Sequence, residues 1–570
     1  MPIRIEIPLC DRNRPGRSIA DPAPFRALGK PPEGRAGKRP FLILVALILC
    51  LSILSGWPAT AAARRFSFVL DAPDNRAEEA ALIVEQLAEA GIGVELRLWG
   101  QVELRDMLAK GNLQAFLTDW GSSFFDPYDL VVPKLSTGGR GNFSLYANPR
   151  VDELLGLASS SIDPQAREQA YHQVQHIIYQ QCPWAFGYIL DRFEGVSDVV
   201  HGYVPALDGR VNLHDVSLTA DETLVVALDT EAFISLDPAA YRDRETETVV
   251  RNLFDGLVTR TPQGKVVPEL AEFYRLESAV HYVFNLRPGV RFHDGRPLTA
   301  ADVVFSFQRI LNPFGLQGIP SPRRELLGPL VSVEAVGPSE VHFRLDKPFP
   351  LFLQALVHFQ IVPEHYVRRV GDLEFARRPV GAGPFRFVEG NRNEGVVVER
   401  FADYYGGSPE LPPVAPPVLQ RAVFRPIADM AKRLELLTSG SAIVQGVAGD
   451  SFDGLGPTEG FRILRVGGTR AYQLEMNNAH PPFNDTRLRR AVCLAIDWQR
   501  IVDKAYHGSG RPLVTCFLPS AFGYDESLQP RVRDLAAARA LLREAGYESS
   551  AGESIEPGPQ AVPTGKVSEP

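Results

Sequence analysis

Apolar residues between positions 281 and 313 first alternate and then recur at helical spacing, which predicts two short strands followed by a helix. Val283–Leu286 and Val290–Phe292 are the predicted strands, and a turn containing glycine follows each of them. Thr299 is the predicted helix N-cap, with Asp302 placed so that its carboxylate accepts hydrogen bonds from free backbone N–H groups. The apolar face of this helix consists of Val303, Val304, Phe307 and Ile310.

Near the N-terminus, a second pattern alternates strands with helices. The predicted strands are Phe66–Leu70, Gly91–Leu98 and Ala115–Trp120, and the predicted helices between them are Ala77–Ala90 and Leu104–Lys110. Strands and helices that alternate at this spacing predict an α/β sheet. Further along the chain we predict the strand Thr223–Leu228 and the helices Ala166–Gln180, Arg487–Asp497 and Asp534–Tyr547.

One long apolar run, Phe41–Trp57, lies close to the start of the chain. Basic residues precede it and the small residues Ala59, Thr60 and Ala61 follow, which is the order found in a secretory signal peptide. We therefore predict that residues 1–63 are a signal peptide with a long basic lead. The run approaches the length of a membrane helix, so an uncleaved anchor is the alternative. In both cases the rest of the chain would lie outside the cytoplasm.

Composition and charge exclude some classes of protein. The chain has 570 residues, of which 45% are hydrophobic and 22% are charged, as is usual for a globular protein with room for several lobes. Its formal net charge is −8, and no basic stripe occurs after residue 65, which argues against binding to nucleic acid. Residues 549–570 are rich in Gly, Pro, Ser and Glu and are predicted to be a disordered tail.

Cysteine usage and sequence motifs give no indication of catalysis. Cys182, Cys493 and Cys516 lie beyond the predicted signal peptide and are too few for a disulfide framework. We expect buried free thiols, although a Cys493–Cys516 bridge is conceivable in an oxidising compartment. No H-E-x-x-H, C-x-x-C, G-x-S-x-G or P-loop spacing occurs. We therefore expect no catalytic residue, no metal and no cofactor, and no enzymatic activity.

The order of elements over residues 281–313 closely resembles the family 5 extracytoplasmic solute-binding proteins of ABC transporters, which include peptide, nickel and glutathione binders. The resemblance extends along most of the chain, but in rotated order. Residues 66–218 resemble the family's C-terminal part, and residues 223–547 resemble its N-terminal part. We interpret this order as a circular permutation, which is tolerated when the original termini are close. A misassembled gene, or two partial copies that complement each other between subunits, are the alternatives.

This resemblance implies an α/β, two-lobed periplasmic-binding-protein fold of the large, type II-like form, in which two lobes close on a ligand about a hinge. Residues 223–470 would form lobe I. Residues 66–218 would form most of lobe II and return to lobe I at their end, while residues 471–548 would complete lobe II. The strands that cross near Tyr188 and Ala471 would be the hinge.

The resemblance also indicates where a ligand would bind. In peptide-binding relatives an aspartate captures the α-ammonium group of the peptide, and the matching position here is Ser123, which weakens the case for free peptides. Trp120 and Phe124 could stack on a ligand or pack in the core, and Arg140 could clamp a carboxylate or remain solvated. The predicted ligand-binding residues are Trp120, Ser123, Phe124, Arg140, Phe233, Ile234, Tyr241 and Asn477.

From these features we predict a periplasmic, monomeric solute-binding protein that is exported by its signal peptide. It would capture a peptide-like or other small solute between two lobes and deliver it to an ABC permease at the inner membrane. The ligand would stabilise the closed form because it contacts both lobes. A membrane-anchored ectodomain that senses a ligand is the alternative, and it requires that the apolar run be retained.

Overall fold

The computed structural model describes residues 65–122, 124–219, 223–447 and 460–548. The predicted signal peptide, Ser123 and the predicted tail lie outside the described residues. The described chain is of mixed α/β type, with two large sheets, a smaller four-stranded sheet and surrounding helices. None of the helices in these ranges has both the length and the apolar character needed to cross a bilayer.

A six-stranded sheet takes its strands from both ends of the described chain. In order across the sheet, the strands are Gly93–Trp99, Ser67–Pro73, Ala115–Gly121, Arg470–Met476, Trp184–Leu190 and Gly510–Pro512. The first three are mutually parallel, since helices connect them along the chain. Arg470–Met476 lies in the middle and pairs antiparallel with Ala115–Gly121 on one side and with Trp184–Leu190 on the other.

Apolar clusters cover the faces of this sheet. Ala115 and Leu117 belong to one cluster and Phe116 to another, because successive residues of a strand point to opposite faces. The α-helices that accompany the sheet are Ala77–Glu89, Gln101–Lys110, Pro127–Leu130, Val132–Leu135, Pro149–Ser160, Pro164–Gln181, Thr486–Ala495, Trp498–Ala505 and Leu535–Glu544. The sheet and its helices therefore have cores of their own.

A seven-stranded sheet forms the second large layer. Its strands, in order, are Phe385–Asn391, Gly395–Arg400, Arg421–Pro426, Leu224–Leu228, Ala442–Val447, Arg192–Ser197 and Phe461–Val466. Arg192–Ser197 follows the six-stranded sheet directly in sequence and inserts antiparallel between two strands from much later in the chain. The helices Arg244–Leu253 and Met430–Ser439 pack beside this sheet.

A four-stranded antiparallel sheet contains the region in which the sequence pattern is clearest. Its strands, in order, are Ala271–Ser278, His281–Leu286, Glu340–Leu345 and Leu330–Val336. Nearby helices are Ala300–Leu311, Phe352–Leu356, Glu364–Val370 and Asp372–Arg377. Two small sheets pair Val258–Arg260 with Val266–Pro268 and Val200–His201 with Ser217–Leu218. The short 3-10 helices are Asp74–Arg76 and Arg324–Leu327.

Most predicted elements in this region are confirmed, and one is wrong. The strand His281–Leu286 and the helix Ala300–Leu311 are present, and the backbone N–H of Thr299 donates to Asp302 Oδ2 at 2.9 Å in a capping box. The predicted strand Val290–Phe292 is a single bridge between Arg291 and Pro297. Two backbone hydrogen bonds flank the bridge, from Phe292 N–H to Arg296 O at 2.8 Å and from Leu298 N–H to Val290 O at 3.0 Å, and the described residues form no longer ladder there.

The predicted helix Arg487–Asp497 is also shorter than expected. It ends at Ala495, and a separate helix begins at Trp498. Asp497 separates the two helices because its side chain accepts a hydrogen bond from the backbone N–H of Arg500 at 3.0 Å, which makes Asp497 an N-cap instead of a helical residue.

Candidate ligand-binding cleft

A cavity of about 660 Å³ lies between the six-stranded and seven-stranded sheets. The chain passes from one sheet to the other twice beside this cavity, at residues 190–192 and 466–470. Gly121 and Tyr472 line one wall, and residues 242–247 line the opposite wall. A cavity of this volume accommodates a small solute. One bound molecule would touch both sheets, so we call this cavity the cleft.

Charged side chains of both signs dominate the walls of the cleft. The guanidinium groups belong to Arg192, Arg210, Arg242, Arg244 and Arg470. The carboxylates belong to Asp191, Asp208, Asp243, Glu245 and Glu247. An apolar solute would displace water from these charged groups and offer no hydrogen bonds in return, so its binding would cost free energy. The cleft is therefore chemically suited to a polar solute that carries charges of its own.

Asp208 and Arg210 form an ion pair at the edge of the cleft, in which Arg210 Nε donates to Asp208 Oδ2 at 2.5 Å. A second guanidinium group, that of Arg260, lies 3.8 Å from the same oxygen. Burial opposes ionisation of Asp208, but Arg210, Arg260 and Arg251 outweigh it and lower the pKa of Asp208 to about 2. Asp208 is consequently an anion at neutral pH.

Glu247 and His358 form a second buried pair. Glu247 Oε1 lies 2.8 Å from His358 Nδ1, and Arg251 and Arg323 each approach it to 3.9 Å. Burial opposes ionisation, but His358, Arg323 and Arg251 together lower the pKa of Glu247 below its ordinary value. Burial also lowers the pKa of His358, against the attraction of Glu247. His358 Nε2 makes no hydrogen bond to any residue that the structure describes, which leaves one polar atom of the cleft wall unpartnered.

Three exposed arginines of the cleft are positioned to meet a ligand. Arg470 pairs with Asp119 across neighbouring strands, and Arg242 lies 3.7 Å from Glu325. Arg244 is exposed and forms no ion pair within the described ranges. An arginine in this position can bind a carboxylate through two parallel hydrogen bonds.

The structure brings Trp120 and Arg140 together. The Trp120 indole donates from Nε1 to the backbone oxygen of Asp129 at 2.8 Å, and the Arg140 guanidinium lies 5.5 Å from the centre of the indole ring. Lys134 Nζ lies 5.2 Å from the same ring and is hydrogen-bonded to the buried carboxylate of Glu475. Trp120 is therefore held between two cations and is only partly buried.

Phe124 is 8% exposed and lies beside the cleft wall, with its ring centre 5.9 Å from that of His358. Its side chain belongs to the apolar cluster of the four-stranded sheet. In sequence, however, Phe124 follows the strand Ala115–Gly121 of the six-stranded sheet. Phe124 thus connects the two parts of the molecule near the cleft. Ser123 lies outside the described residues, so its predicted role stays a prediction.

The other four predicted positions have different environments. Phe233 and Tyr241 are completely buried, and the Tyr241 ring lies under the Arg323 guanidinium at 4.2 Å. Ile234 is 53% exposed. Asn477 is buried, and its Nδ2 donates to the backbone oxygens of Gly111 and Leu113. None of these four lines the cleft, and Asn477 follows the end of its strand that is remote from the cleft.

None of the charged residues that line the cleft was among the predicted ligand-binding residues. Residues 242–247 were a detectable signal, because this short stretch contains two arginines and three carboxylates. Asp208 and His358 gave no comparable signal, since they reach the cleft from distant loops. Within the described ranges, no group of His, Cys, Asp and Glu side chains is arranged to hold a metal ion.

Comparison with known families identifies the class of protein. The family model described as "Bacterial extracellular solute-binding proteins, family 5 Middle" matches residues 265–568, which is just over half of the chain. The chain therefore belongs to the family 5 bacterial extracellular solute-binding proteins.

Individual relatives match a part of the chain. The glutathione-binding protein GsiB of Salmonella typhi is 29% identical over 355 residues, which covers 61% of this chain and 66% of the relative. GsiB of Pectobacterium atrosepticum is 30% identical over 321 residues, covering 55% of this chain and 60% of the relative. The chain thus spans about two thirds or less of the length of these relatives.

Matches to solved structures cover a comparable share of the chain. The unliganded, open form of the periplasmic murein tripeptide binding protein MppA has 24% identity and a TM-score of 0.48, and the match covers 57% of this chain and 66% of that one. HbpA2 from Haemophilus parasuis has 25% identity and a TM-score of 0.47, covering 57% and 67%.

Proposed function

We propose that this chain is an extracytoplasmic solute-binding protein that captures a small, charged, peptide-like solute for import by an ABC permease. The observation that carries the proposal is the charged cleft of about 660 Å³ between two sheets that are connected beside it at residues 190–192 and 466–470. Two connections of this kind can act as a hinge. A solute that contacts both walls favours the closed form, and its release accompanies opening.

The chemistry of the cleft supports a solute that carries both carboxylate and ammonium groups. Arg244 and Arg242 are exposed guanidinium groups that would bind carboxylates, while Glu247 is an anion with a depressed pKa. Relatives at 29% identity are named glutathione-binding proteins, and glutathione is a peptide-like solute with these groups. We therefore propose that the chain binds a solute of this class and that it has no enzymatic role.

We also propose that the chain is a circular permutation of its family. The two ends of the described chain support this proposal, because the ring centres of Phe66 and Tyr547 are 5.3 Å apart. The family chain would run directly from one to the other at this point. Residues 219–223, between the strands Ser217–Leu218 and Leu224–Leu228, would be the linker that joins the family's usual ends. Lobe I and lobe II would then have the boundaries predicted from the sequence.

The proposed location is the periplasm, reached through the predicted signal peptide in residues 1–63, and the proposed state is a monomer. The test is native mass spectrometry of the protein, expressed with its own N-terminal segment and purified gently. We expect a monomer, processed after Ala61 or Ala63, that carries one solute of defined mass. An obligate dimer, or a chain that never carries a solute, would contradict the proposal.

A matched pair of variants tests the cleft itself. Arg244→Ala removes an exposed guanidinium group from the cleft wall, and we expect it to lower the bound fraction of solute about tenfold or more, as is usual for the loss of a charge-assisted contact. Arg377→Ala removes an equally exposed guanidinium group outside the cleft and should leave the bound fraction unchanged. Equal effects of the two variants would show that the solute binds elsewhere.

A further inference from the structure

Two buried cysteines meet in the six-stranded part of the molecule, although they lie far apart in sequence. Cys182 ends the helix Pro164–Gln181 in a left-handed conformation, with φ of +47°. Cys493 lies within the helix Thr486–Ala495. Both thiols are unbridged and belong to the same apolar cluster. The sequence alone had suggested Cys516 as the conceivable partner of Cys493.

The contacts around the two cysteines hold their side chains against each other. Arg489 lies one turn before Cys493, and its Nε donates to the backbone oxygen of Cys182 at 3.1 Å. Cys493 Sγ donates to the backbone oxygen of Trp184 at 3.4 Å, two residues after Cys182. Cys182 Sγ in turn donates to the backbone oxygen of Tyr179 at 3.5 Å, three residues before Cys182. Both sulfur atoms are therefore held beside the same short segment, residues 179–184.

The electrostatic environment favours reaction between these sulfur atoms. The hydrogen bond from Cys493 lowers the pKa of the Cys182 thiol to about 7, against the effect of burial and with support from Arg531, Arg490 and Arg489. The same hydrogen bond and burial raise the pKa of Cys493. A thiolate is the nucleophile in thiol–disulfide exchange, so Cys182 is the sulfur prepared to attack.

A small oxidant can reach the pair from one side. Cys493 lies in the wall of a cavity of about 390 Å³ that Trp498, Arg531 and Arg533 also line. Cys516 is different, because it packs into another apolar cluster, together with Tyr171 and Phe517, and burial raises its pKa. The geometry thus singles out one pair among the three thiols.

We propose that Cys182 and Cys493 form a disulfide when the protein is exposed to a small-molecule disulfide oxidant. In the first step Cys493, which faces the cavity, loses its proton to water and attacks the oxidant as a thiolate; a mixed disulfide forms on Cys493, and the leaving thiolate takes up a proton and departs as one thiol. In the second step the Cys182 thiolate attacks Cys493 Sγ, which forms the Sγ–Sγ bond, and the second leaving thiolate takes up a proton and departs as another thiol. The two cysteines are oxidised by two electrons in total, and the oxidant is reduced to two thiols.

The disulfide would join two segments that lie far apart in the sequence. It would join the segment that contains Trp184–Leu190 to the segment that follows Arg470–Met476, and it would close a loop around residues 183–492. A crosslink over so long a loop restricts the unfolded chain strongly. The linkage suits the extracytoplasmic location proposed above, but the chemistry can be tested whether or not a solute binds.

The test is peptide mapping of the full-length protein after treatment with glutathione disulfide and without reduction. We expect one crosslinked peptide pair that contains Cys182 and Cys493 and has lost two hydrogen atoms. When the oxidised protein is unfolded and alkylated, labelling of these two cysteines should fall about tenfold or more, whereas Cys516 should label fully. Full labelling of Cys182, Cys493 and Cys516, or a crosslink that involves Cys516, would overturn the proposal.

Variants give a second readout. Oxidation should raise the urea midpoint of the wild-type protein and of Cys516→Ser, and it should not raise that of Cys182→Ser or Cys493→Ala. Cys516→Ser is the matched control, since it removes an equally buried thiol from a different cluster. An oxidation-dependent shift that persists in Cys182→Ser would exclude this pair as its cause. Because the wild-type peptide map needs no variant, the proposal is testable even if a substitution prevents folding.

Discussion

Lys134 is a buried cation with aromatic neighbours. Its Nζ lies 5.2 Å from the ring of Trp120 and 5.4 Å from that of Trp184, and it pairs with the fully buried carboxylate of Glu475. Thr118 also donates its hydroxyl to this carboxylate. Replacing the anion would leave a buried ammonium group without a counter-charge, which proteins tolerate poorly.

We therefore predict that Glu475→Gln lowers the free energy of unfolding by about 3–5 kcal/mol, measured by urea denaturation. The matched control is Glu410→Gln, which breaks an ion pair of 2.7 Å with Lys265 in which the side chains are 47% and 70% exposed. That change should cost no more than about 1 kcal/mol. A similar loss in both variants would mean that burial of the Lys134–Glu475 pair has no particular effect on stability.

The cleft residue Asp208 gives a prediction about pH. Its folded-state pKa of about 2 lies below the ordinary value of 3.8, so its contribution to stability is present above about pH 4 and is lost as the pH falls towards 2. We predict that Asp208→Asn lowers the free energy of unfolding at pH 7 by about 2 kcal/mol, and that this difference shrinks as the pH falls from 4 to 2. Urea unfolding at several pH values measures it. A difference that is independent of pH would contradict the assignment.

At the residue scale, the sequence predicts local contacts better than it predicts the cleft. Trp120 and Arg140 were both predicted site residues, and they meet because a short segment joins them. Asp208, Glu247 and His358 line the cleft only because strands distant in sequence pair in the two sheets. No local pattern carries that information, so these residues could not be predicted as a group.

Among the elements, the helix Ala300–Leu311 offers a direct test of a capping box. The Thr299 side chain accepts from the backbone of the first turn, and Asp302 Oδ2 accepts from the backbone N–H of Thr299 at 2.9 Å. We predict that Thr299→Ala lowers the free energy of unfolding by about 1 kcal/mol, because one N–H group loses its partner. Chemical denaturation measures the change.

Thr438→Ala is the matched control for the capping box. Thr438 is an exposed residue near the end of the helix Met430–Ser439, so its hydroxyl does not cap a helix N-terminus. Alanine at this position should change the free energy of unfolding by less than about 0.5 kcal/mol. Equal costs for the two variants would show that the cap of Ala300–Leu311 does not contribute.

Element prediction succeeded where periodicity and caps agree and failed where a short apolar run stood alone. The helix Ala77–Glu89 and the strand Ala115–Gly121 were predicted within one residue at each end. Val290–Phe292 has the composition of a strand, but tertiary structure gives it only one bridging partner. Asp497 caps the helix Trp498–Ala505 and so separates it from the helix Thr486–Ala495. Apolar spacing alone does not indicate this break.

For the whole molecule, the proposed permutation predicts that the usual chain order of the family can be restored without loss of the fold. Linking Tyr547 to Phe66 with a few Gly and Ser residues, and opening the chain between residues 219 and 223, should give a folded protein with the same bound solute. The 5.3 Å separation of the Phe66 and Tyr547 rings makes a short linker sufficient. Circular dichroism, a thermal melt and native mass spectrometry measure the outcome.

The control for this experiment opens the chain inside Leu224–Leu228 instead. That strand is flanked on both sides in the seven-stranded sheet, so a break there should prevent folding. If the rejoined chain fails to fold while this control folds, the permutation is excluded. At this scale the α/β class was predictable from alternating elements, whereas the order of strands in the sheets was not predicted, because it depends on pairing between strands that are distant in sequence.

The central position of Arg470–Met476 in the six-stranded sheet has a consequence for biosynthesis. Its neighbours Ala115–Gly121 and Trp184–Leu190 leave the ribosome much earlier, with residues 191–469 in between. Until the central strand arrives, each neighbour presents a row of unpaired backbone groups that can recruit another chain. A nascent chain in this state is prone to aggregation. The six-stranded sheet can therefore close only after residues 191–469 have been synthesised.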